Sequence, residues 1–171
     1  NNRIFKEDIP QKIIAVKSGY MPTFYPNRLL SLKKNPAIYP IGSLANTKSY
    51  LGNEGYGLIT YNSDRFGLRN QDEKWNNVYN QSNIFVVGDS FVHGSCVPNN
   101  STISSNLEKL TKTNALNLGS GGNDPYEYSA ILKSIISPII KNSTKGNVVI
   151  VIFYGNDNIA YNNKKELLVN S

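Results

Sequence analysis

The chain has 171 residues, 39% of them apolar, and a formal net charge of +6 from 18 Lys and Arg against 12 Asp and Glu. That length buries a substantial core and fits one domain. One cysteine, Cys96, and one histidine, His93, exclude an intrachain disulfide and a zinc set; the scattered basic residues lack the basic-aromatic stripe of a nucleic-acid binder; and no apolar run approaches the about 18 residues of a membrane-spanning helix.

Residues 1–83 read as irregular. Prolines fall at 10, 22, 26, 36 and 40 and glycines at 42, 52, 55 and 57, which predicts short strands and turns, with one helix near Ile4 to Val16. The segment Tyr61-Asn62-Ser63-Asp64-Arg65-Phe66-Gly67-Leu68-Arg69-Asn70 reads as a turn or hairpin carrying two arginines. Those arginines suit either a solvated surface or an anionic sugar. The many Asn and Tyr residues likewise suit a protein that handles polar surfaces, although an AT-rich coding sequence produces the same bias.

Residues 84–171 change character. Ile84 to Val87 is a continuous apolar run, as in a strand covered on both faces. Ile103, Leu107 and Leu110 carry helical spacing over Thr102 to Lys112. Ala115 to Leu118 is a second short strand. Asp124-Pro125 is a helix start, with Asp as N-cap and Pro in the first turn. That helix is expected to reach about Ile140, with Pro138 kinking or ending it. Val148 to Phe153, rich in β-branched residues, is the third strand. The order β-α-β-α-β implies an α/β domain with a parallel sheet, whose ligands bind at the carboxyl ends of the strands.

Three loops sit at those ends. Gly88-Asp89-Ser90 follows the first strand, Asn117-Leu118-Gly119-Ser120-Gly121-Gly122 the second, and Tyr154-Gly155-Asn156-Asp157 the third. A bare Gly-Asp-Ser is explained by Ser90 capping the next helix. With two further loops at neighbouring strand ends, Ser90 reads as a nucleophile whose own N–H faces a developing oxyanion. Glycine admits positive φ and lets an N–H reach a cleft, so Gly122 is a candidate second donor, and Gly119 belongs to the turn. Asn156 offers a carboxamide hydrogen without charge. Asp157 braces its turn. No metal site is indicated, and the Gly119–Gly122 loop lacks the spacing of a phosphate-binding loop.

In order, these three blocks resemble those of the SGNH (GDSL-type) hydrolase superfamily, over about residues 84 to 160. Gly88-Asp89-Ser90-Phe91-Val92-His93-Gly94 and Tyr154-Gly155-Asn156-Asp157 are similar to bacterial members found with polysaccharide-modifying functions, as is the segment Ser63 to Asn70. The resemblance implies a three-layer α/β/α, flavodoxin-like core over 84–171, with residues 1–83 packing on it. It implies Ser90 as catalytic nucleophile, with the Ser90 N–H, the Gly122 N–H and the Asn156 side chain as oxyanion hole. Asp89, His93, Gly119 and Asp157 are then supporting or substrate-binding residues, and no cofactor is implied. Tyr154 stands where glycine is common.

The family's general base belongs to a later Asp-x-x-His block, and no histidine follows residue 157. Three explanations stand open. The base lies beyond Ser171, the domain is a degenerate module that keeps the pocket, or His93, one helical turn from Ser90, serves. The chain starts at Asn1 and its only Met is Met21, which suggests a piece of something longer from which an anchor or export signal was removed. Any membrane attachment is expected to run through such an absent segment, and the compartment stays open between bacterial cytoplasm and periplasm. The implied activity is hydrolysis or transfer of a small acyl group, such as acetyl, on a carbohydrate-like ester. The alternative is a catalytically inactive glycan-binding or scaffold protein.

Overall fold

The computed structural model describes residues 8–26 and 40–155. They form an α/β fold built on a parallel sheet. The N-terminal region opens with helix α1 (Asp8–Lys17), which stops at Gly19 with φ +81°, a conformation that glycine adopts without strain. Short strands follow, β1 (Met21–Pro22), β2 (Lys48–Tyr50) and β3 (Thr60–Asn62). β1 runs parallel to β2, and β2 antiparallel to β3. Among the described residues the expected short strands, turns and helix are present, together with a 3-10 turn at Asp72–Trp75. The start of that helix, expected near Ile4, falls outside the described residues.

The main sheet holds β4 (Asn83–Gly88), β5 (Asn114–Gly119) and β6 (Asn147–Val151), in the order β5-β4-β6 and all parallel. Between β4 and β5 come α2 (Ser90–His93) and α3 (Ile103–Thr111). Between β5 and β6 come α4 (Pro125–Ile131) and α5 (Ser137–Asn142). Every residue of β4 is buried, as its unbroken apolar run requires of a central strand. Alternation along the strands divides the core. Phe85, Val87, Leu116 and Leu118 join Tyr128, Ile131 and Ile135, together with Leu68, Trp75 and Val78 from before β4. Ile84, Val86 and Ala115 face Val92 of α2, with Ile103 and Leu107 of α3 packed against them. Leu110, on the same predicted helical stripe, stays 82% exposed in the last turn of α3.

Pro138 neither ends the helix nor breaks it. A π-helical turn over Leu132–Ile136 joins α4 to α5, and the chain stays helical to Asn142. Proline has no N–H to give the carbonyl four residues back, and its ring crowds that carbonyl. The wider π turn just before Pro138 provides the room.

Two asparagine devices hold the sheet. Asn83, Asn114 and Asn147 stand in register at the start of the three strands. Their amides form a ladder, Asn114 Nδ2 donating to Asn83 Oδ1 at 2.9 Å and Asn83 Nδ2 to Asn147 Oδ1 at 2.8 Å. At the outer edge of β5, the Asn70 side chain pairs like a missing strand. Its Oδ1 accepts from Asn117 N at 2.7 Å and its Nδ2 donates to Asn117 O at 2.9 Å. Such an edge left open would present unpaired backbone groups.

Asn70→Ala removes both of these bonds, and a third to Asp64 Oδ2, and strands a buried N–H and C=O on β5. The variant is expected to lose about 3 kcal/mol of stability in urea unfolding, the sum of two unsatisfied buried groups. A loss within experimental error of zero would show that water replaces the Asn70 amide.

Candidate functional site

The central strand β4 delivers Ser90 to the surface. Asp89 caps α2 by accepting from Phe91 N at 2.9 Å through Oδ1, and Gly94 closes the helix with φ +72°. Ser90 is partly exposed, and its hydroxyl makes no hydrogen bond among the described residues. Asp89 is 2% exposed, and its Oδ2 has no partner among the described residues.

The neighbouring loops are brought beside Ser90 by strand register. Gly88 pairs with Gly119, so β4 and β5 end level, and Ser120 N donates to Gly88 O at 3.3 Å. α2 lies directly on the bare backbone of these glycines. A Cβ on Gly119 would stand 2.4 Å from His93 N and 2.7 Å from Val92 Cβ, and one on Gly88 2.4 Å from Val92 Cγ2. Only glycine permits that approach. Gly122, exposed and at φ +82°, turns the chain before Asp124. Asp124 and Glu127 then form a capping box at the start of α4, Asp124 N donating to Glu127 Oε2 at 2.8 Å. On the other side of β4, Ile152 N donates to Val87 O at 2.9 Å, and the Tyr154 ring stands 4.6 Å from that of Phe91. The third loop therefore begins against the residue that follows Ser90. Asn156 and Asp157 lie outside the described residues.

His93 packs between two tyrosines. It is 3% exposed, with Tyr25 and Tyr61 edge-on at 6.0 and 5.6 Å. Its Nδ1 stands 3.5 Å from Ser95 Oγ. Burial, and secondarily the Arg69 charge, pushes its pKa down to about 3, so the imidazole is neutral. Tyr25 also presses on the glycine loop, because a Cβ on Gly121 would meet its ring at 2.4 Å.

The two arginines part company. Arg65 is exposed and paired bidentately with Asp72, Nε to Oδ1 at 2.9 Å and Nη2 to Oδ2 at 2.8 Å. Arg69 is buried, 6% exposed, and bonded to the backbone beyond α2, so a solvated surface describes only the first. Asp64 is wholly buried and accepts from Phe66 N, Leu68 N, Asn70 Nδ2 and Trp75 Nε1. Burial pushes its carboxyl up and these four donors pull it down, with burial prevailing. Tyr25 shapes the site with no local pattern to mark it, whereas Tyr61, Arg69, Asn70 and Asn117 lie in segments the sequence singles out without showing what each side chain bonds. The nearest signal is the Asp64-x-x-Gly67 turn that carries Arg69 and Asn70.

A polar groove of about 670 Å³ runs between residues 61–74 and 99–109, and an apolar one of about 380 Å³ along α1. Neither is lined by Ser90, which is partly exposed among the described residues. There, no group of three His, Cys, Asp or Glu side chains is placed to hold a metal ion, and no helix is long and apolar enough to cross a membrane. No protein-family model, curated protein or solved structure matches the chain.

The buried imidazole makes a pH prediction. The unfolded chain protonates His93 below about pH 6.5, whereas the folded protein resists until about pH 3. The stability is fully present above pH 6.5 and is lost as pH falls through that window, by on the order of 2 kcal/mol between pH 7 and pH 5. The raised Asp64 carboxyl acts in the opposite sense toward the acid end, so the comparison is made against His93→Phe. Urea unfolding of that variant is expected to show the loss removed; an unchanged loss would assign it to another group.

Proposed function

We propose that the chain is a serine esterase or acyl-transfer enzyme of the SGNH type, on a three-layer α/β/α core with residues 1–83 packed on it. Ser90 is the nucleophile. The Ser90 N–H, the Gly122 N–H and the Asn156 side chain form the oxyanion hole, and the substrate is a small acyl ester, such as an acetylated carbohydrate. The observation that carries the reading is the level ending of β4 and β5 at Gly88 and Gly119, with the third loop starting against Phe91. The glycine loop and the start of the third loop thus lie beside the helix that carries a partly exposed hydroxyl, which supports an acyl-transfer site.

In this reading the Ser90 oxygen attacks the ester carbonyl. Its proton passes to a base, and negative charge gathers on the former carbonyl oxygen, where the three donors receive it. Collapse expels the alcohol, which takes up the proton, and leaves an acyl-serine. Water or a sugar hydroxyl then takes the acyl group. His93, neutral, buried and turned between two tyrosines, does not suit the base. The reading therefore requires a base from outside the described residues. The same observation favours a second reading, an inactive glycan-binding module that retains the loops without the base.

Two measurements separate them. The full-length protein is expected to be labelled at Ser90 by a fluorophosphonate probe and to hydrolyse nitrophenyl acetate, with both lost in Ser90→Ala. Absence of both in the unsubstituted protein removes the enzyme reading and leaves the binding one. Asn156→Ala is expected to cut turnover by about 10²–10³-fold with an unchanged melting temperature. Unaltered turnover would take Asn156 out of the oxyanion hole.

A further inference from the structure

Arg69 spends its whole hydrogen-bonding capacity on one stretch of chain. Nη1 donates to His93 O at 3.2 Å and to Gly94 O at 2.6 Å. Nη2 donates to Val97 O at 2.8 Å and to Asn99 Oδ1 at 2.7 Å, and Nε to the same Asn99 oxygen at 3.0 Å. A guanidinium has five N–H hydrogens, and these bonds use all five. Among the described residues no carboxylate pairs with Arg69. Its charge is set against the carbonyls that end α2 and against the face of Tyr61, 5.2 Å from the guanidinium carbon. Removing a cation from water without a counter-ion is costly.

The carbonyls it holds are one step from Ser90. Gly94 N and Ser95 N both donate to Ser90 O, each at 3.0 Å. α2 has only four residues, too few to hold a helix by itself. Asp89 fixes its first turn through Phe91 N, and Arg69 fixes the far end.

We propose that Arg69 is a positioning residue for acyl transfer, locking the turn after α2 so that the Ser90 main chain and hydroxyl keep one orientation against the glycine loop. This rests on Ser90 being the nucleophile. Arg69 touches no substrate in this role, and it acts through Gly94 and Ser95. Lysine does not substitute, because one ammonium on a flexible stem cannot span His93 O, Val97 O and Asn99 Oδ1 together.

The test compares full-length unsubstituted protein, Arg69→Lys and Arg69→Ala by thermal melting, by the rate of Ser90 labelling with a fluorophosphonate, and by kcat and KM on nitrophenyl acetate. Arg69→Ala is expected to melt cooperatively at a lower temperature, with labelling rate and kcat reduced about a hundred-fold and KM little changed, as for a misplaced reacting group. Added ethylguanidinium is expected to restore part of the Arg69→Ala rate, and Arg69→Lys to remain slow. A folded Arg69→Ala or Arg69→Lys that labels at the unsubstituted rate overturns the proposal while leaving Ser90 as nucleophile. So does a loss confined to KM, or failure of both variants to fold, which would make Arg69 structural only. No labelling of the unsubstituted protein overturns the nucleophile reading and this proposal with it.

Discussion

The contact on which the site depends is the seating of α2 on two bare glycines. Gly88 and Gly119 end adjacent parallel strands at the same level, and the helix that starts at Ser90 lies against both without space for a methyl group. Parallel pairing sets the level, and the missing side chains set the distance. Ser90 is thereby held at the mouth of the central strand, with the Gly119–Gly122 loop on one side and the Tyr154 loop on the other. A helix of four residues contributes little stability of its own, so its position is imposed by what it rests on.

What surrounds that seat is polar to an unusual degree for a buried region. Asp64, Arg69, Asn70 and Asn117 lie within the fold with few of their groups left over. Asp64 and Arg69 carry opposite charges but are bonded elsewhere, one to N–H donors and the other to carbonyls. Bonds to a charged group are worth about 1.5–3 kcal/mol each, comparable with the several kcal/mol of desolvation they oppose. The net gain in stability is small. The gain in definition is large, because each bond names one partner. Asn70 faces the edge of β5, Asn117 Nδ2 donates to Val92 O, and Arg69 faces the end of α2. The segment before β4 thus fixes β5 and α2 together.

The asparagine content takes on a different meaning in this setting. Asn83, Asn114 and Asn147 link the three strand starts, Asn70 and Asn117 belong to buried networks, and the exposed Asn99 receives the Arg69 guanidinium. A carboxamide both donates and accepts, so it can replace a backbone peptide or bridge two strands without bringing charge. Part of the compositional bias is therefore used by the fold, whatever its origin in the coding sequence.

The sequence by itself determined the alternation of strands and helices from residue 84 onward. The apolar run of Ile84–Val87, the β-branched Val148–Ile150 and the Asp124-Pro125 start are local signals, and each element appeared within a few residues of its expected bounds. It also placed Ser90 and the glycine loop at strand ends, since that follows from element order. Only the tertiary structure decided what happens at Pro138, expected to kink or end the helix, where a π turn makes room for the proline and the chain stays helical. Only it decided that His93 is enclosed by Tyr25 and Tyr61, and that Arg69 is buried on α2 while Arg65 stays at the surface. The reason is physical. Strand and helix formation is set by neighbours a few residues apart, whereas the hydrogen-bond partners of Arg69, and the Asn117 that pairs with Asn70, lie 24 to 47 residues along the chain and are chosen by burial, which periodicity does not encode.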